Sequence, residues 1–333
     1  MLSETDLLAV ARRLCAGVGE AAPTGLEALL GGKNNRVFRL ALADGRSLTF
    51  KNYHVDSRDP RDRLGAEWTF LNYLYQRGVT CVPKPLAQDR IHNSALYTFI
   101  PGSKLTSGII TDRHITQAAA FIVSGNCEPR QPDKLDPGSE ACFSLADHVA
   151  SVDRRVASLG VLDPSEPHVA RLETLVREKL GPTWNRLRGK ILAVNDEALG
   201  LTKQIFSPSD FGFHNALVDE SGSLTFIDFE YAGRDDPAKL VCDFFCCPEI
   251  QTPLCFRAQF IDILVDGLML DAGFRSRCEL LLDAYRIKWA CIILNDFLPI
   301  GAARRKFADK CQTKERSAIQ IDKAQQKLSE IEI

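Results

Sequence analysis

The sequence predicts an α+β chain in two parts: a small strand-rich N-terminal part, residues 1–101, and a larger, mostly helical part, residues 102–333. Three observations carry this. Between residues 25 and 101, short apolar runs such as Leu48-Thr49-Phe50-Lys51 alternate around a single helical stretch. After Gly102 the apolar residues recur at three- and four-residue steps, as in Leu145, Val149, Val152 and Val156. Finally, 333 residues can bury a sizeable core, and more readily as two lobes than as one.

The elements follow in order. Residues 3–19 predict an amphipathic helix with Leu7, Leu8, Val10, Ala11 and Leu14 on its apolar side. A strand pair flanks Gly31-Gly32, Leu48 to Lys51 reads as a strand, and the helical stretch carries Trp68, Leu71, Leu74 and Tyr75. Val82-Pro83 to Leu86 is extended. Residues 112–124 are helical, whereas 126–140, with Pro129, Pro132 and Pro137, read as an exposed loop. Helices are expected at Ser144–Leu159 and over 168–197. Ala216-Leu217-Val218, a turn from Asp219 to Gly222, and Leu224-Thr225-Phe226-Ile227 predict a β-hairpin. Residues 250–330 are expected to be mostly helical, and no internal repeat is present.

Composition narrows the class. Charged residues make up 25% and apolar ones 45%, as in an ordinary soluble globular protein, and the net charge of −2 favours neither a nucleic-acid nor a membrane partner. Residues 1–20 carry Glu4, Asp6, Arg12 and Arg13 in place of a leader's apolar centre, so a cytoplasmic setting is expected. The apolar run near the C-terminus is interrupted by Asn295 and Asp296, which argues against a membrane span. The eleven cysteines are scattered, odd in number and without a C-x2-C pair, and so are expected to be reduced and buried.

One constellation carries chemistry. Asp210 is followed five residues later by Asn215, and Asp228-Phe229-Glu230 closes the apolar run of the hairpin. Phosphoryl transfer needs a carboxylate to orient an attacking hydroxyl and oxygen ligands to hold Mg²⁺ on nucleotide phosphates. The other parts lie upstream. Gly31-Gly32 lets the backbone turn tightly so that its N–H groups can face a phosphate. Lys51 ends a strand, and Glu67 lies sixteen residues later on a helix, the order needed to aim an ammonium at the α- and β-phosphates.

In this pattern, over residues 25–300, the chain resembles the aminoglycoside phosphotransferase and choline kinase family, small-molecule kinases of protein-kinase-like, bilobal fold. The resemblance implies a nucleotide loop at Gly31, Gly32, Asn34 and Asn35, the strand lysine at Lys51 and the helix glutamate at Glu67. It implies a catalytic Asp210, with Asn215 and Asp228 on the metal, ATP and Mg²⁺ as cofactors, and a small molecule bearing a hydroxyl as acceptor. Leu96 to Gly102 resembles the hinge between lobes. A sugar or other polyol is the preferred acceptor, with Tyr285, Arg286, Lys288, Trp289, Asn295 and Asp296 as candidate contacts.

Two departures stand out. Pro208-Ser209-Asp210 replaces the family's usual His-Gly-Asp, and Ala238-Lys239-Leu240 follows Asp236-Pro237 where the family often has an Asp, the next acid being Asp243. The first leaves a catalytically inactive kinase-like scaffold as the alternative function. The second leaves open how the segment after the metal loop is anchored. His214 is expected to pack against or bond to its loop, and Glu230 to support the metal loop.

Overall fold

The computed structural model describes residues 2–29, 35–55, 59, 61–127, 134–162, 164, 166, 168–298 and 314–331. These form two compact units: residues 1–139, 206–234 and 258–269 in the first, and 140–205, 235–257 and 270–333 in the second.

The first unit is built on a five-stranded antiparallel sheet. Its strands are β1 (Pro23–Ala28), β2 (Arg36–Leu42), β3 (Ser47–Asn52), β4 (Pro85–Asp89) and β5 (Ser94–Thr98), in the spatial order β1-β2-β3-β5-β4. Side chains alternate across a strand, and β3 uses both faces. Leu48 and Phe50 join Phe38, Leu40 and Leu96 against Leu7, Val10, Ala11 and Cys15 of α1 (Glu4–Gly17). Each of the fully buried Leu, Val and Phe side chains contributes about 1.5–3 kcal/mol relative to exposure. Ser3 caps α1, accepting from the Asp6 amide while the Asp6 carboxylate accepts from the Ser3 amide. On the other face Lys51 meets α2 (Arg63–Gln76), and the Trp68 and Tyr97 rings lie 6.4 Å apart.

The expected hairpin is present. After β7 (Ile205–Ser207), strands β8 (Ala216–Val218) and β9 (Leu224–Phe226) pair with Ala216 opposite Phe226, and β6 (Ser103–Lys104) adds to the β8 edge. Behind it, Phe121 of α3 (Asp112–Asn126) stacks on Phe226 with centroids 4.6 Å apart and on Phe211 at 5.8 Å. This aromatic block fixes the loop that runs from Asp210 to Asn215.

With α8 (Arg257–Leu268) lying mostly in the first unit, the second holds α5 (Val169–Leu175) and is helical around α9 (Gly273–Ile293), against which α4 (Leu145–Ser158), α6 (Gly181–Leu192), α7 (Pro237–Cys246) and the final helix Lys314–Ser329 pack. Cys242 and Cys246 of α7 donate to the carbonyls of Cys278 and Leu282 on α9. All described cysteines are free thiols, and burial pushes the buried Cys246 and Cys291 up to about 12.

The segment after Asp236-Pro237 is anchored by buried charge. Asp236 caps α7 through the Ala238 amide at 2.6 Å, and its other oxygen accepts from His148 Nε2 at 3.0 Å and Arg277 Nε at 2.7 Å. Lys239 pairs with Asp235 at 2.5 Å, and Lys288 meets both oxygens of Asp243 at 2.9 Å. Lys239 thus supplies a cation where an acid was expected, between Asp235 and Asp243. The same contacts redirect two candidate substrate residues. Lys288 is buried on Asp243, and Arg286 is buried beside Asp283 at 2.6 Å and Glu330 at 3.7 Å, so neither is held out for an anionic ligand. Tyr285 is buried as well, and Trp289 donates to Asp243 at 2.9 Å. Among the described residues no helix is long and apolar enough to cross a membrane.

Candidate active site

Every described residue singled out for chemistry lies in the first unit. Gly31, Gly32 and Asn34 fall outside the described residues.

The lysine and glutamate meet as the sequence spacing implies. Lys51 faces α2 from β3, and its Nζ lies 2.6 Å from Glu67 Oε2, with side chains only 6% and 5% exposed. The same ammonium lies 2.6 Å from Asp228 Oδ1, a carboxylate that is 41% exposed. Burial works against the Lys51 charge, but Asp228, Glu67 and Glu230 more than offset it, and the lysine is held above its ordinary pKa. Burial likewise pushes Glu67 up, against the pull of Lys51.

Asp210, Asn215 and Asp228 are brought together by the hairpin. Asn215 ends a single turn of 3₁₀ helix, Phe213–Asn215, and the Ile227 amide donates to the Asn215 carbonyl at 2.9 Å. Continuing the β8–β9 register by one pair therefore sets Asn215 beside the residue that precedes Asp228. Asn215 Nδ2 donates to the Asp210 carbonyl at 3.0 Å, which leaves the amide oxygen as its remaining acceptor. His214 Nε2 lies 3.3 Å from Asp210 Oδ1, so the histidine packs against its own loop.

Two residues of this site hold left-handed backbone. Asp228 has φ of 67°, which turns its carboxylate away from the strand while Phe229 buries against Phe70 at 5.2 Å. Ser209, directly before Asp210, has φ of 63°. Left-handed φ costs a non-glycine residue roughly 1–2 kcal/mol, and such residues cluster at functional sites. Glycine would adopt the Ser209 torsion without that cost.

Asn35 joins the site by an unforeseen route. Its Nδ2 donates to Glu230, and its Oδ1 accepts from the His54 amide at 3.1 Å. Glu230 is 3% exposed and lies 3.8 Å from Arg63 Nε, while Arg63 also donates to the His54 carbonyl at 3.0 Å. Asn35, His54, Arg63 and Glu230 thus form a closed ring of contacts. Arg63 was missed from the sequence, yet it stands four residues before Glu67 on the same face of α2, a spacing that could have found it.

The donor set suits a magnesium-bound nucleotide. Among the described residues no three His, Cys, Asp or Glu side chains cluster into a closed metal cage. Mg²⁺ in phosphoryl transfer takes one or two protein oxygens and completes its shell with phosphates and water, and half-exposed Asp228 and the Asn215 amide oxygen are the residues that could supply them.

No curated protein matches the sequence significantly. Among solved structures, choline kinase from Cryptosporidium parvum Iowa II superposes with a TM-score of 0.61 at 14% identity, covering 98% of this chain and 96% of that one. A choline/ethanolamine kinase family protein from Mesorhizobium loti gives 0.59 at 18% identity, covering 97% and 95%. A spectinomycin phosphotransferase in complex with ADP and its antibiotic gives 0.62 at 12% identity, covering 96% and 98%. At these identities the likeness shows the fold, which is the α+β, protein-kinase-like one that the sequence predicts. The phosphotransferase enzyme family matches residues 25–268, most of the chain including Lys51, Glu67, Asp210, Asn215 and Asp228, and the protein belongs to that family.

Proposed function

We propose that the protein transfers the γ-phosphoryl group of ATP to a hydroxyl of a small molecule. The observation that carries this is the buried Lys51–Glu67 pair reaching Asp228, with Asn215 registered alongside by the hairpin. Lys51 is the charge that meets the α- and β-phosphates, and Glu67 keeps it in place. Asp210 orients the acceptor hydroxyl and takes its proton. Asn215 and Asp228 are the residues that hold Mg²⁺, which supplies charge neutralisation at the phosphate oxygens.

The lobe carrying the nucleotide is assigned to residues 1–101 and the acceptor side to 102–333. The acceptor we favour is a sugar or another neutral polyol. Support comes from the second unit, where Arg286 is engaged by the Asp283 carboxylate and Lys288 by buried Asp243, so neither offers an anion site.

The test is calorimetric titration with ATP, with and without Mg²⁺. Micromolar, Mg²⁺-dependent binding supports the assignment and justifies screening polyols, amino alcohols and aminoglycosides for ADP release. Absence of binding under both conditions overturns it in favour of an inactive kinase-shaped scaffold.

A further inference from the structure

Two tyrosines beside the Lys51–Glu67 pair have no part in the roles above. Tyr53 follows Lys51 by two residues, on the same side of the extended chain, and its ring centroid lies 5.0 Å from Lys51 Nζ. Its hydroxyl lies 2.7 Å from Glu67 Oε2, the same oxygen that bonds Lys51, and 2.6 Å from the hydroxyl of Tyr97. Tyr97 comes from β5, opposite Thr49 and so on the same sheet face as Lys51. Both tyrosines are buried, at 4% and 2% exposure.

Donor counting fixes the direction of this chain. An ionised carboxylate only accepts, so Tyr53 donates to Glu67, and with that proton used, Tyr97 donates to Tyr53. Burial pushes both phenols up, and the Glu67 charge adds to it, so both keep their protons. Each bond polarises the next, and an O–H bond to a carboxylate is about twice as strong as one between neutral groups.

We propose that Tyr53 is a positioning residue for nucleotide binding, acting through Glu67. This rests on the nucleotide site proposed above. Phosphates arriving at Lys51 compete with Glu67 for the ammonium, and a carboxylate held by Lys51 alone would follow it or swing aside. Here Oε2 is also held by the phenol, while Oε1 accepts from the Phe229 amide at 3.3 Å. Glu67 therefore stays in place as Lys51 turns to its ligand. The face of the Tyr53 ring steadies the ammonium from a further side.

The test measures MgATP affinity for the full chain and for Tyr53→Phe, Tyr53→Leu, Glu67→Ala, Tyr53→Phe/Glu67→Ala and Lys51→Ala, each with its thermal unfolding curve. Tyr53→Phe keeps the ring and removes only the hydroxyl. Loss of one bond to a charged group predicts about tenfold weaker binding. Tyr53→Leu is expected to bind more weakly still. In the Glu67→Ala background the Phe substitution should change affinity by less than about twofold, because its target is gone. If Lys51→Ala binds MgATP like the unmodified protein, the nucleotide assignment itself fails. If Lys51→Ala is weakened but Tyr53→Phe is not, the assignment stands and the role of Tyr53 is overturned. If the two losses multiply in the double variant, Tyr53 does not act through Glu67, and the proposal is again overturned. Should Tyr53→Leu fail to fold, Tyr53→Phe and the double variant still decide the matter.

Discussion

The Lys239 ammonium lies 2.5 Å from a carboxylate oxygen of Asp235, with both side chains at most 3% exposed. Asp235 also accepts from the amides of Cys142 and Asp236 at 2.9 Å, so one carboxylate ties the start of α7 to the segment before α4. Burial pushes Asp235 up, with Lys239 and these bonds pulling the other way. Such a pair is weak evidence of net stability, but breaking it from one side is costly.

Lys239→Ala therefore predicts a loss of about 3–5 kcal/mol, because it leaves Asp235 charged or protonated without its partner. The double variant Asp235→Asn/Lys239→Met removes both charges and is expected to recover much of that loss. Urea unfolding of the two variants checks this. Equal destabilisation of both would show that the pair's charge is not what holds this corner.

Ser209→Gly is expected to stabilise the protein by about 1 kcal/mol. The left-handed φ of 63° costs serine roughly 1–2 kcal/mol, and glycine adopts it freely. Among the described residues the buried Ser209 hydroxyl has no hydrogen-bond partner, a further penalty that glycine removes. The greater unfolded-state freedom of glycine offsets part of the gain. A lowered denaturation midpoint in Ser209→Gly would contradict this account of the loop.

Much of this site is legible in the sequence because its determinants are local. Period two in Leu48 to Lys51 places lysine opposite the core face, and the apolar residues around Glu67 declare a helix. The hairpin spacing then brings Asn215 towards Asp228. What is not legible depends on partners far apart in sequence. Nothing near Lys239 announces that Asp235 and Asp243 will share it, and Arg286 and Lys288 look like free cations until Asp283, Glu330 and Asp243 are placed beside them. Asn35 reads as part of the nucleotide loop, and only the fold shows its amide bridging His54 and Glu230. Tyr53 lies between these cases. Its spacing from Lys51 sets its face, but its hydrogen bonds require Tyr97 and Glu67 to arrive from other elements.

The two acidic residues of the proposed centre predict different kinetic signatures. Asp210→Asn keeps the size and most contacts of the side chain but cannot take a proton. It is expected to lower kcat by about 10²–10⁴-fold with MgATP affinity retained. Asp228→Ala removes a metal ligand and one partner of Lys51, so it should abolish the Mg²⁺ dependence of ATP binding. Steady-state kinetics with calorimetry separates the two. Retained kcat in Asp210→Asn would remove that residue as the base, and unchanged MgATP affinity in Asp228→Ala would remove it from the metal.

Asp59 supplies a pH test at the entrance to α2. Its carboxylate takes Arg61 Nε and an Arg61 terminal nitrogen at 2.6 Å each, and Arg63 at 2.6 Å. The side-chain bonds from Arg61 are the main cause that holds its pKa down, from an ordinary 3.8 to about 2. A depressed carboxylate contributes stability that is fully present above its unfolded value. That contribution is lost as pH falls through the folded value. Between pH 4 and pH 2 the unfolded chain binds the proton more readily, so the stabilisation drains away across this window. Asp59→Asn mimics the protonated acid at every pH. The unmodified protein should therefore be the more stable of the two above about pH 4, and the gap should close as pH approaches about 2. Urea unfolding of both proteins at matched pH values reads this directly. A gap that stays constant across the window would mean that the arginines do not hold Asp59 in its charged form, and that Arg63 is fixed by His54 and Glu230 alone.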